Sequence, residues 1–218
     1  MGCPTWPQCD PGSLVPVRRD DIPPVIQWIE FGNRLLGTVV LLISVACLIV
    51  AWRVPRDRRL LTLAATMPAG AVLQGVIGGL TVLNQLAWWN VMLHFLPSML
   101  LVWFAVQLVA AVSESPHSRH VVVLPWPGRV LVGASVVVLA LLLVAGTLVT
   151  AAGPQAGDPG TPRLDLAVEL LAQVHGALLV AYVAVLVTLG VALWRSAAPR
   201  FGPRSFCRRL GAGCRVAR

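Results

Sequence analysis

Apolar residues run along this chain in five long blocks separated by short polar or basic stretches: roughly Ile26 to Trp52, Leu60 to Leu83, Ala87 to Val112, Val130 to Ala152 and Leu164 to Trp194. Each block exceeds the about 20 residues that an α-helix needs to cross a bilayer. In lipid a spanning backbone must satisfy its own hydrogen bonds, so the blocks predict helices. The expected fold class is therefore an all-α polytopic membrane protein with five transmembrane helices. The same pattern divides the chain into a leading segment 1–25, three spans over 26–112, a loop 113–129, two spans over 130–194 and a tail 195–218.

Composition agrees, with 57% hydrophobic and 12% charged residues and a mean hydropathy of +0.78. The net charge of +8 comes from 17 basic residues, every one an Arg. Most of these flank apolar blocks instead of forming a basic face, which argues against nucleic acid as a partner and for membrane lipid. Arg53, Arg56, Arg58 and Arg59 crowd the first connection, Arg119 and Arg129 flank the third, and the tail from Arg195 is Arg-rich. The positive-inside rule places these in the cytoplasm. The amino terminus and the loops around Asn84 and Asp158 then face outward, as in a multi-pass cell-membrane protein with a cytoplasmic carboxyl terminus.

Polar residues inside the blocks carry the candidate chemistry. Glu30, Asn33 and Arg34 stand at the mouth of the first span at helical spacing, either as an ion pair anchoring the helix end or as a functional site. His94 and His175 lie within the third and fifth spans, and both fall in the outer half by this orientation. Gln74, Thr147 and Thr150 also lie toward the outside, while the inner halves are nearly pure Leu, Val and Ala. A neutral imidazole on a bundle helix suits an axial ligand of haem iron, or a hydrogen bond across a helix interface. Zinc is less favoured, because no Cys or carboxylate completes a tetrahedral set. His117 and His120 fall in a cytoplasmic loop and are expected to be solvated. Cys47 reads as packing in the first span. Cys3 and Cys9, outside and close in sequence, can form a disulfide, as a structural staple or in a redox or substrate-handling role. Cys207 and Cys214 in the tail are expected to stay reduced.

A weak internal repeat aligns Asn33, Leu36, Trp52 and Arg53 with His175, Leu178, Trp194 and Arg195. It makes Asn33 and His175 equivalent, and it predicts a chain truncated at both ends with an aberrant tail.

The ordered segments Cys3-Pro4-Thr5-Trp6-Pro7-Gln8-Cys9, Trp28-Ile29-Glu30-Phe31-Gly32-Asn33-Arg34, Gln74-Gly75-Val76-Ile77-Gly78-Gly79-Leu80-Thr81-Val82, Leu93-His94, Gly146-Thr147-Leu148-Val149-Thr150 and His175 resemble the haem A synthase family of actinobacterial type. The resemblance reaches about Trp194. It implies part of an eight-helix fold made of two similar four-helix bundles, of which this chain resembles spans two to six. It implies oxidation of a haem O methyl group to a formyl group by successive hydroxylations, giving haem A for terminal cytochrome oxidase. By resemblance Glu30 is the acid required for that oxidation, and Asn33, Arg34, His94 and His175 belong to cofactor or substrate sites. His94 and His175 are the candidate iron ligands, His94 for substrate haem O and His175 for a haem b. Cys3 and Cys9 match an outer-loop pair that assists haem O delivery or reduction.

Haem O synthase is the implied partner, with the electron donor unidentified and a homo-oligomer left open. The chain departs from the family pattern at Asn33 and Gln155, where a His is common, and it lacks the last two spans. The expectation is therefore an inactive or weakly active fragment. A membrane b-type cytochrome, a transporter or a non-catalytic assembly protein are the competing classes.

Overall fold

The computed structural model describes residues 2–18, 20, 22–53, 58–113, 124–154 and 161–197. His117, His120, Arg56, Arg119, Gln155, Asp158 and the tail beyond 197, with Cys207 and Cys214, lie outside these described residues. Five helices follow in the expected order: α1 (Pro24–Arg53), α2 (Arg58–Leu83), α3 (Trp88–Ser113), α4 (Trp126–Ala152) and α5 (Val168–Ala197). All five are long and apolar enough to cross a membrane. The chain is an all-helical polytopic membrane protein.

Two helix starts differ from the sequence reading by four residues. Helix α4 starts at Trp126 rather than Val130, because Pro125 is its N-cap and a proline occupies the first turn, where a fixed φ suits a helix and no N–H is missed. Helix α5 starts at Val168 rather than Leu164. The intervening backbone is committed elsewhere: Leu164 N–H donates to Ala151 O at 3.0 Å and Leu166 N–H to Leu164 O at 2.9 Å. Arg163 also donates to Gly153 O, tying this segment to the end of α4.

Helices adjacent in sequence pack together, closely for α1 on α2, α2 on α3 and α4 on α5, and more sparsely for α3 on α4. The α2–α3 connection is a tight turn with Gln85 and Leu86 at φ 54° and 58°, a left-handed conformation uncommon for such residues. Leu86 N–H donates to Thr81 O at 2.9 Å and Ala87 N–H to Asn84 O at 3.1 Å, which holds the turn. From the α4–α5 segment, the buried Thr161 donates to Gln85 O at 3.1 Å. The two connections therefore meet at one end of the bundle.

Most large apolar side chains point outward along the helices, Val180 at 71% exposure and Val109 at 66% among them. A helix apolar all round needs lipid or further helices against it. Exposed Trp28, Trp52, Trp126 and Trp194 sit near helix ends, as interfacial aromatic belts do. Cys47, expected to pack, is exposed on α1 instead. Its position on the outward face of a helix whose one helix partner among the described residues is α2 accounts for the difference.

Candidate functional site

The most buried side chains are not in a helix interface. Cys3 and Cys9 are each 0% exposed and joined as a disulfide, and α1 grips the loop they close by its backbone. Glu30 accepts the N–H of Gly2 on Oε1 and that of Cys3 on Oε2, both at 2.8 Å. Arg34 donates through Nη1 to Thr5 O and Gln8 O at 2.8 Å, and through Nη2 to Cys3 O at 2.7 Å. One turn earlier, Gln27 is 2% exposed and donates to Val17 O at 3.1 Å. Carboxylate and guanidinium thus take opposite polarities of one backbone, as charge-assisted bonds do best.

Asn33 is not part of this grip and is exposed. At about 100° per residue it lies on the far side of Glu30 from Arg34 and Gln27. The face that works is Gln27, Glu30 and Arg34.

The loop reaches α2 through Trp6. Its ring lies where a Cβ on Gly79 would be, with ring atoms 2.5–3.0 Å from that position, so only glycine admits the contact. The next residue inward, Gly78, serves the same purpose for His94, whose Cε1 would be 3.2 Å from a Cβ there. One turn before Gly78, Gln74 lies against the His94 turn. Its amide has one orientation that satisfies every neighbour: Nε2 donates to His94 O at 3.1 Å and His94 Nδ1 at 2.9 Å, and Oε1 accepts from Ser98 N–H at 3.0 Å. Pro97 lies in this turn of α3, where a missing N–H weakens the helix ladder, and His94 O also accepts from Ser98 Oγ at 2.7 Å.

His175 occupies a similar seat in the other pair of helices. A Cβ on Gly146 of α4 would be 3.0 Å from its Cε1. One turn before Gly146, Leu142 O lies 3.2 Å from His175 Nδ1. A carbonyl only accepts, so Nδ1 carries the hydrogen and the Nε2 lone pair is free. His175 also lines a cavity of about 650 Å³ between α3, α4 and α5, walled by Trp88, Met92, Phe95, Leu143, Thr147 and Thr150 among others. An apolar cavity of that size with one oriented imidazole has the donor set that holds a haem iron. Among the described residues, no three His, Cys, Asp or Glu side chains converge as for a bare metal ion.

The structure therefore separates what the sequence grouped at one depth. Glu30, Arg34, the disulfide loop, Trp6 and His94 form one chain of contacts over α1–α3. His175 belongs to a second site. Thr147 and Thr150, noted in the sequence only for their depth, line that second site. The seats Gly78, Gly79 and Gly146, the carbonyl of Leu142 and the role of Gln27 are not marked by residue type. Of these only the glycines carry a sequence cue, one turn after a polar or bulky residue on a helix facing a His.

No match emerges from comparison with curated proteins or with solved structures. The model of the cytochrome oxidase assembly proteins, COX15-CtaA, matches residues 1–157, which include the loop, Glu30, Arg34, Gln74, His94 and Gly146 but not His175. The chain belongs to the COX15-CtaA family of cytochrome oxidase assembly proteins.

Proposed function

We propose that this assembly protein takes part in making haem A, with haem O as substrate of the α1–α3 site and haem b held by His175. The observation that carries the reading is the His175 seat: an imidazole with its Nδ1 committed to Leu142 O, opening on a largely apolar cavity of about 650 Å³. Haem b, when bound, supplies one-electron chemistry. His175 lines the cavity with its Nδ1 committed to Leu142 O, and the hydroxyls of Thr147 and Thr150 are bonded back to Val144 O and Gly146 O, which leaves a largely apolar lining.

In the first site, Glu30 is the acid–base group for oxidation of the haem O methyl, and His94 contacts the substrate. Both oxygens of Glu30 are engaged by the loop in this conformation. Glu30 therefore enters chemistry after the Cys3–Cys9 loop lifts, which gives the loop a part in substrate admission. Arg53, Arg58, Arg59, Arg129 and Arg195 lie toward the opposite end of the helices, which supports an outward-facing site in the cell membrane. Haem O synthase would deliver the substrate from within the same bilayer.

Expression of the full chain in membranes supplied with haem O, followed by chromatography of extracted haems, tests the proposal. Haem A or its hydroxylated intermediate, at the low yield expected of a chain with Asn33 in place of a His, supports the proposal. Recovery of unmodified haem alone would mark a b-type cytochrome, and recovery of none a non-catalytic assembly protein. Glu30→Gln is expected to lower product by on the order of 100-fold, the scale of a lost general acid–base group.

A further inference from the structure

The two seated histidines differ in one atom, and the difference decides what each can do. Each ring lies over a glycine of the preceding helix, Gly78 or Gly146. Each Nδ1 meets a group one turn earlier on that helix, Gln74 or Leu142. At His175 the group is a carbonyl, so Nδ1 donates. At His94 it is the amide nitrogen of Gln74, and its orientation is not free. His94 O can only accept and Ser98 N–H can only donate, so Nε2 of Gln74 faces His94 and Oε1 faces Ser98. A hydrogen on His94 Nδ1 would then point at the N–H of Gln74, whose Nε2 lies 2.9 Å from Nδ1. Nδ1 must accept, and the neutral ring carries its hydrogen on Nε2.

We infer that Gln74 is a positioning residue that locks His94 as the Nε2–H tautomer, so that His94 meets its ligand as a hydrogen-bond donor and not as an iron ligand. Iron coordination uses a ring nitrogen lone pair, fixed by the bond that the other nitrogen makes. At His94 the lone pair is spent on Gln74. At His175 it is free.

A second observation on the same helix agrees. Asn90, one turn before His94, has a buried Nδ2 with no acceptor among the described residues. Buried donors without partners call for an explanation, and residues four apart share a helix face. Asn90 and His94 therefore lie along one stripe of α3, with the unpartnered Nδ2–H of Asn90 one turn from the His94 ring. The identity of the His94 ligand as a haem rests on the function proposed above, whereas the tautomer does not.

The test reads the ring directly. The full chain, ligand-free in lipid bilayers and labelled with ¹⁵N-histidine, is expected to show His94 with an unprotonated Nδ1 and a protonated Nε2, and His175 with the reverse. His94→Ala and His175→Ala assign the signals. Gln74→Leu is expected to abolish the preference at His94 and leave His175 unchanged, an effect that a merely space-filling Gln74 would not produce. A protonated Nδ1 at His94 in the unsubstituted chain, or a tautomer indifferent to Gln74→Leu, overturns the inference.

Titration with haem b then separates the roles. His175→Ala is expected to weaken binding on the order of tenfold or more and change the coordination spectrum, while His94→Ala leaves that spectrum as it was. A spectrum altered by His94→Ala overturns the inference. Absence of haem binding overturns the proposed function, while the tautomer result still decides the role of Gln74.

Discussion

Arg34 shows how a charged residue at membrane depth can be fully employed without a charged ligand. Its guanidinium binds three carbonyls of one loop, a fork geometry that Lys cannot reproduce. Hydrogen bonds to charged groups contribute about 1.5–3 kcal/mol when buried, and this site is only half-buried, so Arg34→Ala is expected to weaken docking by about 2 kcal/mol in total. Because both sulfurs are 0% exposed, a reductant reaches the Cys3–Cys9 bond only when the loop opens. Reduction by a water-soluble phosphine, followed by thiol labelling, is expected to be at least tenfold faster in Arg34→Ala, with Arg34→Lys restoring little. Equal rates in the three chains would show that Arg34 does not hold the loop. The sequence made Glu30 and Arg34 visible because ionisable groups are rare in spans. Their partners were invisible, since a main-chain carbonyl looks the same at every residue. Asn33 drew attention for its neighbours, but it is exposed and lies on the far side of Glu30 from Arg34 at about 100° per residue.

At the scale of the helix, glycines decide where side chains can lie. Gly79 admits the Trp6 ring and Gly78 the His94 ring, so α2 carries two seats side by side near its carboxyl end. Gly79→Val is expected to expel Trp6 and speed amide hydrogen exchange of Gly2 and Cys3 by on the order of tenfold, while exchange in the middle of α4 and α5 stays unchanged. Protection retained at those two amides would mean that Trp6 does not secure the loop. The five helices themselves were legible from apolar length alone, because the bilayer allows a spanning backbone few other structures. Their ends were less so. The late start of α5 depends on Leu164 bonding to Ala151 across the turn, a tertiary choice that no local pattern records. The early start of α4 could have been read from Pro125 and Pro127.

Over the whole molecule, the tight helix packing falls in two groups, α1–α3 and α4–α5, and the cavity lined by His175 opens at the sparse junction between them. The described contacts across that junction include the bond from Thr161 to Gln85. Thr161→Val removes the buried donor of this part-buried bond, a loss of about 0.5–1.5 kcal/mol. Its expected result is a lower midpoint for thermal unfolding in detergent and weaker haem b binding, with the ¹⁵N signature of His94 unaffected. An unchanged midpoint and unchanged binding would place the coupling of the two groups elsewhere. The internal repeat inferred from sequence matched α1 with α5. The structure adds a likeness between the α2–α3 pair and the α4–α5 pair, each with a His ring seated over a glycine of the preceding helix.

Those seats also give a rule for reading other chains. A relative that keeps both imidazoles but places Val, Leu or Phe at the position of Gly78 or Gly146 brings a Cβ to 3.2 or 3.0 Å from the ring, so that the ring must shift from this pose. Such a chain must house its histidine elsewhere or use it for something else. The smallest residue in each pair is thus a better guide than the histidine itself to which descendants of this fold still practise the same trade.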